Sequence, residues 1–417
     1  MKKIILVLKL IVRSKFIFRT PKKNDLIIFD KTSVLDLNNC VSKFNPFVLQ
    51  CRIEALDEIF FSYKILKKIL KNYFKGNLFT VYLVSLVELI KPKAVITNID
   101  NSLKFSDVAK ILEKKTNFIA IQGAARYDLL EFNYLYNTKK IKHNFLKKFY
   151  IPNLLCFGDY EKELYNKLNI IVKNIYPVGN LRWANFLDYI KSQSNSHERY
   201  NSDICLISDY IVDSYLHATD AFDESTKKKI NDPKLSENIN IARGYIEIIK
   251  YTIKFCNKNN MKLIIPLKRD KRYAFKTSKL ELEFFKKHLT REEFVYFEKN
   301  LLEKERDDFS SYRAVLNSKV TVGIGSTLLR DKLGIGGKIL SCNLTKADIY
   351  NFPINGICSL NNCSYEEFEK RLLEIHSISK ENFFSKIDKK PDYLMKFNEN
   401  NSTINLIRKK LQQVGVN

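Results

Sequence analysis

The chain has 417 residues, too many for one ordinary hydrophobic core, so two domains are the natural reading. A hydrophobic fraction of 45% with 12% aromatics is ample for packed cores and excludes a disordered chain. Lys and Arg outnumber Asp and Glu by 71 to 46, and the net charge of +25 favours anionic partners: nucleotides, phospholipid head groups or nucleic acid.

The N-terminus, MKKIILVLKLIVRSKFIF, has the outline of a signal peptide, but Lys9 interrupts its apolar run and no small-residue cleavage site follows. It is too short and too charged to span a bilayer. Two readings stay open for it, a buried first element or a basic amphipathic segment resting on anionic lipid. No later segment reaches spanning length, so the expected location is cytoplasmic, with peripheral contact at the inner face of the membrane.

After this segment, DLIIFD (25–30), AVITNID (94–100), NFIAIQG (117–123), LLCFGDY (154–160) and KNIYPVGN (173–180) read as strands. Helical patterns such as FSDVAKILEKK separate them, which implies a parallel sheet covered on both faces. The polar stretch 190–203 reads as a linker. Beyond it DICLISDY (203–210), KLIIPLKRD (262–270), SKVTVGIG (318–325) and KILSCN (338–343) are strands, with helices over 238–257 and SYEEFEKRLLEI (364–375). The predicted organisation is an N-terminal acceptor-side domain (1–190) and a C-terminal nucleotide-binding domain (203–375). A helical tail (376–417) would pack back towards the first domain. The predicted class is α/β, two Rossmann-type domains with parallel sheets facing a central cleft.

Eight cysteines form no CxxC pair and only five histidines are present, so reduced thiols are expected and no metal or cofactor.

The strongest chemical signal is VTVGIGSTLLRDKLGIGGKILSCN (320–343). A strand ends in Gly323 and Gly325, and Ser326 and Thr327 follow at a helix N-terminus, where amides and hydroxyls suit a phosphate. The same pattern also fits a β-turn-α corner with Ser/Thr capping. Asp331, one turn on, suits ribose hydroxyls. In KLIIPLKRDKRY (262–273), Lys268 and Arg269 follow a strand, where cations can neutralise a diphosphate or a sugar carboxylate. Asp209 ends the first strand of the second domain, fit for a nucleophile or base and equally for a turn cap. In the first domain Asp100, Asn101 and Ser102 end one strand, and Gln122 and Arg126 follow the next. Two adjacent polar tips suit acceptor-sugar hydroxyls or a catalytic carboxylate. Gly179, Asn180 and Arg182 read as a loop closing this domain onto the cleft.

These segments, IDNS (99–102), IQGAAR (121–126), FGDYEKELY (157–165), YPVGNLR (176–182), LISDY (206–210) and GIGSTLLRDKLGIGGKIL (323–340), in that order, resemble a family of bacterial surface-carbohydrate biosynthesis proteins. Members are similar to GT-B glycosyltransferases, some of them retaining enzymes that use CMP-activated 3-deoxy-ulosonic acids such as Kdo. The resemblance implies that Ser326 and Thr327 hold the donor phosphate and that Asp331 contacts the ribose. Asp209 or Asp100 would then be the catalytic carboxylate, a nucleophile in a retaining enzyme or a base in an inverting one. Asn101, Ser102, Gln122, Arg126 and Arg182 would serve the acceptor or the sugar. The chain departs from the family pattern where Gly-Ala-Ala follows Gln122 and where Leu329 and Arg330 precede Asp331. Lys268 and Arg269 also stand where many CMP-sugar transferases carry His-Pro. Arg330 either adds positive charge to the donor site or points into solvent.

The resulting expectation is a metal-independent GT-B glycosyltransferase acting on a surface polysaccharide or lipid-linked glycan, such as capsule or lipopolysaccharide. Its partners would be a nucleotide-sugar donor, probed first as CMP-linked, a glycan or glycolipid acceptor, and anionic inner-membrane lipid, with no nucleic acid. A nucleotide-sugar epimerase, hydrolase or polyol-phosphate transferase on the same fold is the alternative, and a non-catalytic nucleic-acid- or sugar-binding protein is a third.

Overall fold

The computed structural model describes residues 14–49, 51–52, 55–126, 149–167, 170–192, 201–208, 233–268, 271–302, 309–397 and 402–417. The chain divides into two compact units, Met1–Asp188 with Lys396–Asn417, and Tyr189–Met395. Among the described residues no helix is long and apolar enough to cross a membrane.

The first unit begins β1 (Lys15–Ile17), β2 (Leu26–Ile28), α1 (Val34–Val41), β3 (Phe47–Val48), β4 (Cys51–Arg52), β5 (Ala55–Leu56) and β6 (Glu58–Phe60). It continues α2 (Tyr63–Asn72), α3 (Leu78–Ile90), β7 (Ala94–Thr97), α4 (Leu103–Leu112), β8 (Asn117–Ile121), β9 (Tyr150–Cys156), α5 (Tyr160–Lys167), β10 (Ile171–Pro177) and α6 (Leu181–Lys191). Six of these strands form one parallel sheet in the order β10-β9-β8-β7-β2-β3. Successive side chains alternate between its faces. Ile27, Val95, Phe118 and Leu154 enter one core, where Phe105 of α4 meets Phe29 and Phe118 edge-on at 5.4 and 5.5 Å. Ile28, Ile96, Ile119 and Leu155 enter the other.

The second unit runs β11 (Ser202–Leu206), α7 (Pro233–Lys258), β12 (Leu263–Ile264), α8 (Lys271–His288), α9 (Arg291–Lys299), α10 (Ser310–Asn317) and β13 (Ser318–Gly323). Then come α11 (Thr327–Gly334), β14 (Lys338–Asn343), β15 (Ser359–Asn361), α12 (Tyr365–Ser377) and α13 (Lys380–Phe384). Its five strands are also all parallel, in the order β12-β11-β13-β14-β15. Numbered along the chain, this order is 2-1-3-4-5, and the first unit begins its sheet the same way. Each sheet therefore has a topological switch point, between β2 and β7 in one and between β11 and β13 in the other.

The last helix, α14 (Thr403–Gln413), returns to the first unit and covers the second face of its sheet with Ile404, Ile407 and Leu411. Thr403 caps this arrangement by donating its hydroxyl to the Val178 carbonyl at 2.7 Å. Gly179 has φ +88, and a Cβ there would stand 2.3 Å from the Lys396 carbonyl oxygen. The YPVGNLR segment is thus the seat of the returning chain within this unit.

Some elements escaped the sequence reading. β9 starts at Tyr150 rather than Leu154, and β12 stops at Ile264. The helices between 271 and 317 carry too mixed a pattern to stand out. An Ile407→Ala substitution should move unfolding of the first unit to lower denaturant, at a cost of about 3 kcal/mol, because it opens a cavity against the sheet.

Candidate functional site

At the switch point of the second unit, β11 and β13 run side by side with Leu206 opposite Val322. β11 extends past its last paired residue, the Ile207 amide reaching the Val322 carbonyl at 2.9 Å. β13 ends at Gly323 and turns through Ile324 and Gly325. The turn is pinned from β14, where Ser341 donates its hydroxyl to the Ile324 carbonyl. Ser326 is the N-cap of α11: its hydroxyl accepts the Leu328 amide at 3.4 Å and its carbonyl the Leu329 amide at 3.0 Å. Ser326 and Thr327 are half-buried, at the rim of the carboxyl edge, while Gly325 lies beneath them. The capping reading of Ser326 therefore holds, and it leaves the pair at the surface where a helix N-terminus meets solvent.

Asp331 and Arg330 stand differently. Both are buried, Arg330 among the largest enclosed side chains of the chain. Asp331 is closed off from solvent, so the expectation of an open ribose acceptor is corrected, and Arg330 does not point into solvent.

Lys268, just beyond β12, is exposed, and its backbone amide donates to Glu281 Oε1 at 3.2 Å. Ser208, just beyond β11, donates its hydroxyl to the same oxygen. Glu281 of α8 is fully buried and so joins the carboxyl ends of two neighbouring strands. The sequence held a signal for it: Glu281 shares a helix face with Phe284 and Phe285, both buried, where a carboxylate needs a partner. Asp209 and Arg269 lie outside the described residues.

Two lysines behind the turn end helices. Lys332 is buried and donates to the Leu316 and Ser318 carbonyls, each at 2.9 Å, at the C-terminus of α10. Lys338 donates to the His376 and Ile378 carbonyls at 3.0 and 2.9 Å, at the C-terminus of α12. Burial pushes the Lys332 amine down to about 8.

In the first unit the two polar strand tips meet, but they bind each other. Asp100 is buried and accepts from Arg126 Nε at 2.9 Å, from Arg126 Nη2, from the Tyr165 hydroxyl at 2.7 Å and from the Gly123 amide at 3.3 Å. Burial, and then the Asp100 carboxylate, push the Tyr165 phenol well above its ordinary range, so it remains a donor. Gly123 sits against β7's tip so closely that a Cβ would lie 2.6 Å from the Asn98 carbonyl oxygen. Gln122 is buried too: its amide nitrogen donates to the Ala124 carbonyl at 3.0 Å and to Glu161 Oε1 at 3.1 Å. Its amide oxygen accepts the Phe157 amide at 3.0 Å. Asp100, Gln122 and Arg126 are thereby corrected from solvent-facing site groups to an internal lock joining β7, β8 and α5.

What does face outward lies near the switch point of that sheet. Arg182 is exposed and bonds Asp36 Oδ1 at 2.9 Å through Nε, and Asn98 donates to the same carboxylate. Ser33, itself buried, ties these groups to the strand end, bridging Thr97 Oγ1 at 3.3 Å and the Asn98 amide at 3.2 Å. Asp36, Ser33 and Asn98 went unread because the bonds that gather them run between segments more than sixty residues apart. Asn101 is half-buried, and Ser102 caps α4 by accepting the Phe105 amide at 3.3 Å.

A protein-family model described as "putative O-antigen biosynthesis protein" matches residues 142–412. The chain belongs to this O-antigen biosynthesis family. The family match takes in the whole of the second unit and, in the first, β9, β10 and the returning α14. No curated protein matches this O-antigen biosynthesis protein in sequence. Among solved structures it is similar to the UDP-GlcNAc 2-epimerase of Neisseria meningitidis bound to UDP-GlcNAc, with TM-score 0.50 and 11% identity over 94% of this chain and 99% of that one. The Methanocaldococcus jannaschii UDP-GlcNAc 2-epimerase in complex with UDP-GlcNAc and UDP gives 0.46 and 12%, over 93% and 99%. The wall teichoic acid polymerase TagF with CDPG gives 0.41 and 9%, over 93% and 88%. The fold of the O-antigen biosynthesis protein is GT-B-like, built from Rossmann-type units.

Two measurements test these assignments. Arg126→Ala should destabilise the first unit by about 3–5 kcal/mol in chemical denaturation, since it strands a buried carboxylate. For Lys332, below about pH 8 the amine is charged in the folded and unfolded chain alike. Between that value and its ordinary 10.5 the folded chain binds fewer protons, so its contribution to stability rises with pH. The stability of the native chain relative to Lys332→Met should climb across this window by roughly 3 kcal/mol.

Proposed function

We propose that this O-antigen biosynthesis protein is a glycosyltransferase that takes its sugar from a nucleotide-sugar and passes it to a surface polysaccharide or lipid-linked glycan. The observation that carries the reading is the position of the GIGST turn. Its half-exposed Ser326 and Thr327 lie at the N-terminus of α11, at the switch point between β11 and β13, where open parallel sheets bind ligands. A diphosphate or phosphodiester there would meet the positive end of the helix dipole and would take over the Leu328 amide from the Ser326 hydroxyl, which holds it at 3.4 Å.

Lys268, exposed at the next strand end, supplies a mobile cation for the charge that develops on the leaving phosphate. Dipole and cation together do what a divalent metal does elsewhere, which supports metal-independent transfer. Asp209 follows Ser208 directly in sequence and is the catalytic carboxylate of this reading, a nucleophile or a base according to stereochemistry. Asp100 is left out of that role by its bidentate bond to Arg126. In the first unit, Asn101, Ser102 and Arg182 are the acceptor-side groups. For the donor, a CMP-linked acidic sugar of the Kdo type follows from the family resemblance, and Lys268 suits a sugar carboxylate.

The test is a thermal-shift panel of CMP-, CDP-, UDP- and GDP-sugars, UDP-GlcNAc among them. One nucleotide class should stabilise the protein, by about 2.7 kcal/mol at a hundredfold excess over Kd, and the double substitution Ser326→Ala/Thr327→Ala should abolish the shift. A flat response across the panel sinks the reading. Release of free nucleotide only when a glycan acceptor is present marks transfer, and release without acceptor marks the epimerase or hydrolase reading.

A further inference from the structure

One surface of the first unit has nothing to do with the sugar-site groups. β1 pairs in parallel with β6, bringing residues 15–20 beside the start of α2. The Phe18 and Phe61 rings approach to 6.1 Å, and the Thr20 and Ser62 hydroxyls lie 3.0 Å apart. α2 uses Ile65 and Ile69 to pack on the core. A second apolar stripe points away from it: Tyr63, Leu66 and Leu70, spaced three and four residues apart, continued by Phe74. Tyr63 is 78% exposed, Leu70 74%, Phe74 96%, and Phe18 beside them 78%. Core-facing needs do not explain apolar side chains held this far into water.

The charges of the two segments that flank the stripe are of one sign, although β6 itself carries Glu58. Lys15, Arg19, Lys22 and Lys23 lie in the first segment, and Lys64, Lys67, Lys68, Lys71 and Lys75 in the second, and neither stretch holds an acidic residue. Lys68 is bonded to Glu88 of α3 at 3.1 Å, and the rest of the group brackets the apolar stripe. Cations with long apolar stems beside exposed Leu and Phe match a surface that is anionic outside and hydrocarbon just beneath. A second copy of the chain would bring like charges together. Nucleic acid would leave Leu66, Leu70 and Phe74 unused.

We propose that this face, the β1–β6 edge with α2 and the turn to Phe74, docks on the surface of an anionic phospholipid bilayer, the Leu and Phe tips entering the acyl boundary and the lysines lying at the phosphates. The proposal is independent of the nucleotide-sugar reading, and either can fail alone.

Co-sedimentation of the full chain with mixed phosphatidylglycerol–phosphatidylcholine vesicles, and with phosphatidylcholine vesicles alone, tests it. The chain should partition onto the anionic vesicles and not the neutral ones. Leu70→Glu/Phe74→Glu should lower that partition by at least about tenfold. Val295→Glu, at an exposed apolar position of the second unit, should not change it. Melting temperature and nucleotide-sugar thermal shift should stay as in the native chain for both variants. No binding to anionic vesicles, equal binding by the double variant, or retention on double-stranded DNA in place of vesicles overturns the proposal. So does a dimer in sedimentation velocity that the double variant dissociates while vesicle binding is absent.

Discussion

A parallel sheet buried on both faces has one place where polar side chains can gather without an energetic penalty, the rim beyond the carboxyl ends of its strands. Both units of this chain obey that constraint. Their strands are short and apolar, their layers are covered by helices, and most of the candidate-site side chains follow a strand by one to five residues. The repeated order 2-1-3-4-5 then singles out one gap along each rim, where the crossover connections leave in opposite directions. The glycine turn with Ser326 and Thr327 occupies that gap in the second unit, and Ser33, Asp36 and Asn98 gather near it in the first.

Polar groups at such rims divide by whether their hydrogen-bonding capacity is already spent. Asp100 has four donors and Gln122 uses both ends of its amide, so each behaves as a fastener between neighbouring strand ends. Glu281 does the same for β11 and β12 from a helix. These buried groups would be costly if unpaired, and pairing them fixes the height and angle of the loops they join. Lys268, by contrast, is exposed, and Arg182 is exposed even while it is paired with Asp36. The fasteners therefore shape the rim, and the exposed groups are the ones able to meet a ligand.

The division explains what could be read from the amino-acid order. Strands 94–97, 117–121 and 318–323 were legible because runs of β-branched and aliphatic residues ended in Asn, Asp or Gly. The helix read over 364–375 spans Tyr365–Ser377, and its start is fixed by a capping box of Ser364 and Glu367. The glycine turn at 323–327 was legible for the same local reason. Asp100 and Arg126 were correctly singled out as a pair of polar tips, but sequence alone does not say whether two such tips face a ligand or each other. The distance between Asp100 and Arg126 along the chain hides the ion pair. Burial of Asp331 and Arg330 was hidden likewise, since a helix following a strand shows its buried face only once its neighbours are placed. Ser33, Asp36 and Glu281 each depend on a partner from another segment.

The surplus of positive charge also separates into parts once its members are located. Lys332 and Lys338 are spent on the carbonyls that end α10 and α12, where a cation also meets the negative end of a helix dipole. Lys68, Lys115 and Lys173 are bonded to carboxylates of the first unit. Neither group is available to an anionic partner, so a net charge of +25 overstates the attraction such a partner would feel. What remains is uneven. Lys268 stands exposed beyond β12, at the same rim as the glycine turn that follows β13. The lysines of α2 stand instead among exposed Leu, Tyr and Phe, a combination that electrostatics alone would not require. Charge next to a half-open helix terminus favours a small phosphorylated ligand, and charge mixed with apolar side chains on an outward helix face favours an extended interface. The same residue type thus stands on two unlike surfaces of one chain, and its neighbours set the chemistry that each can offer.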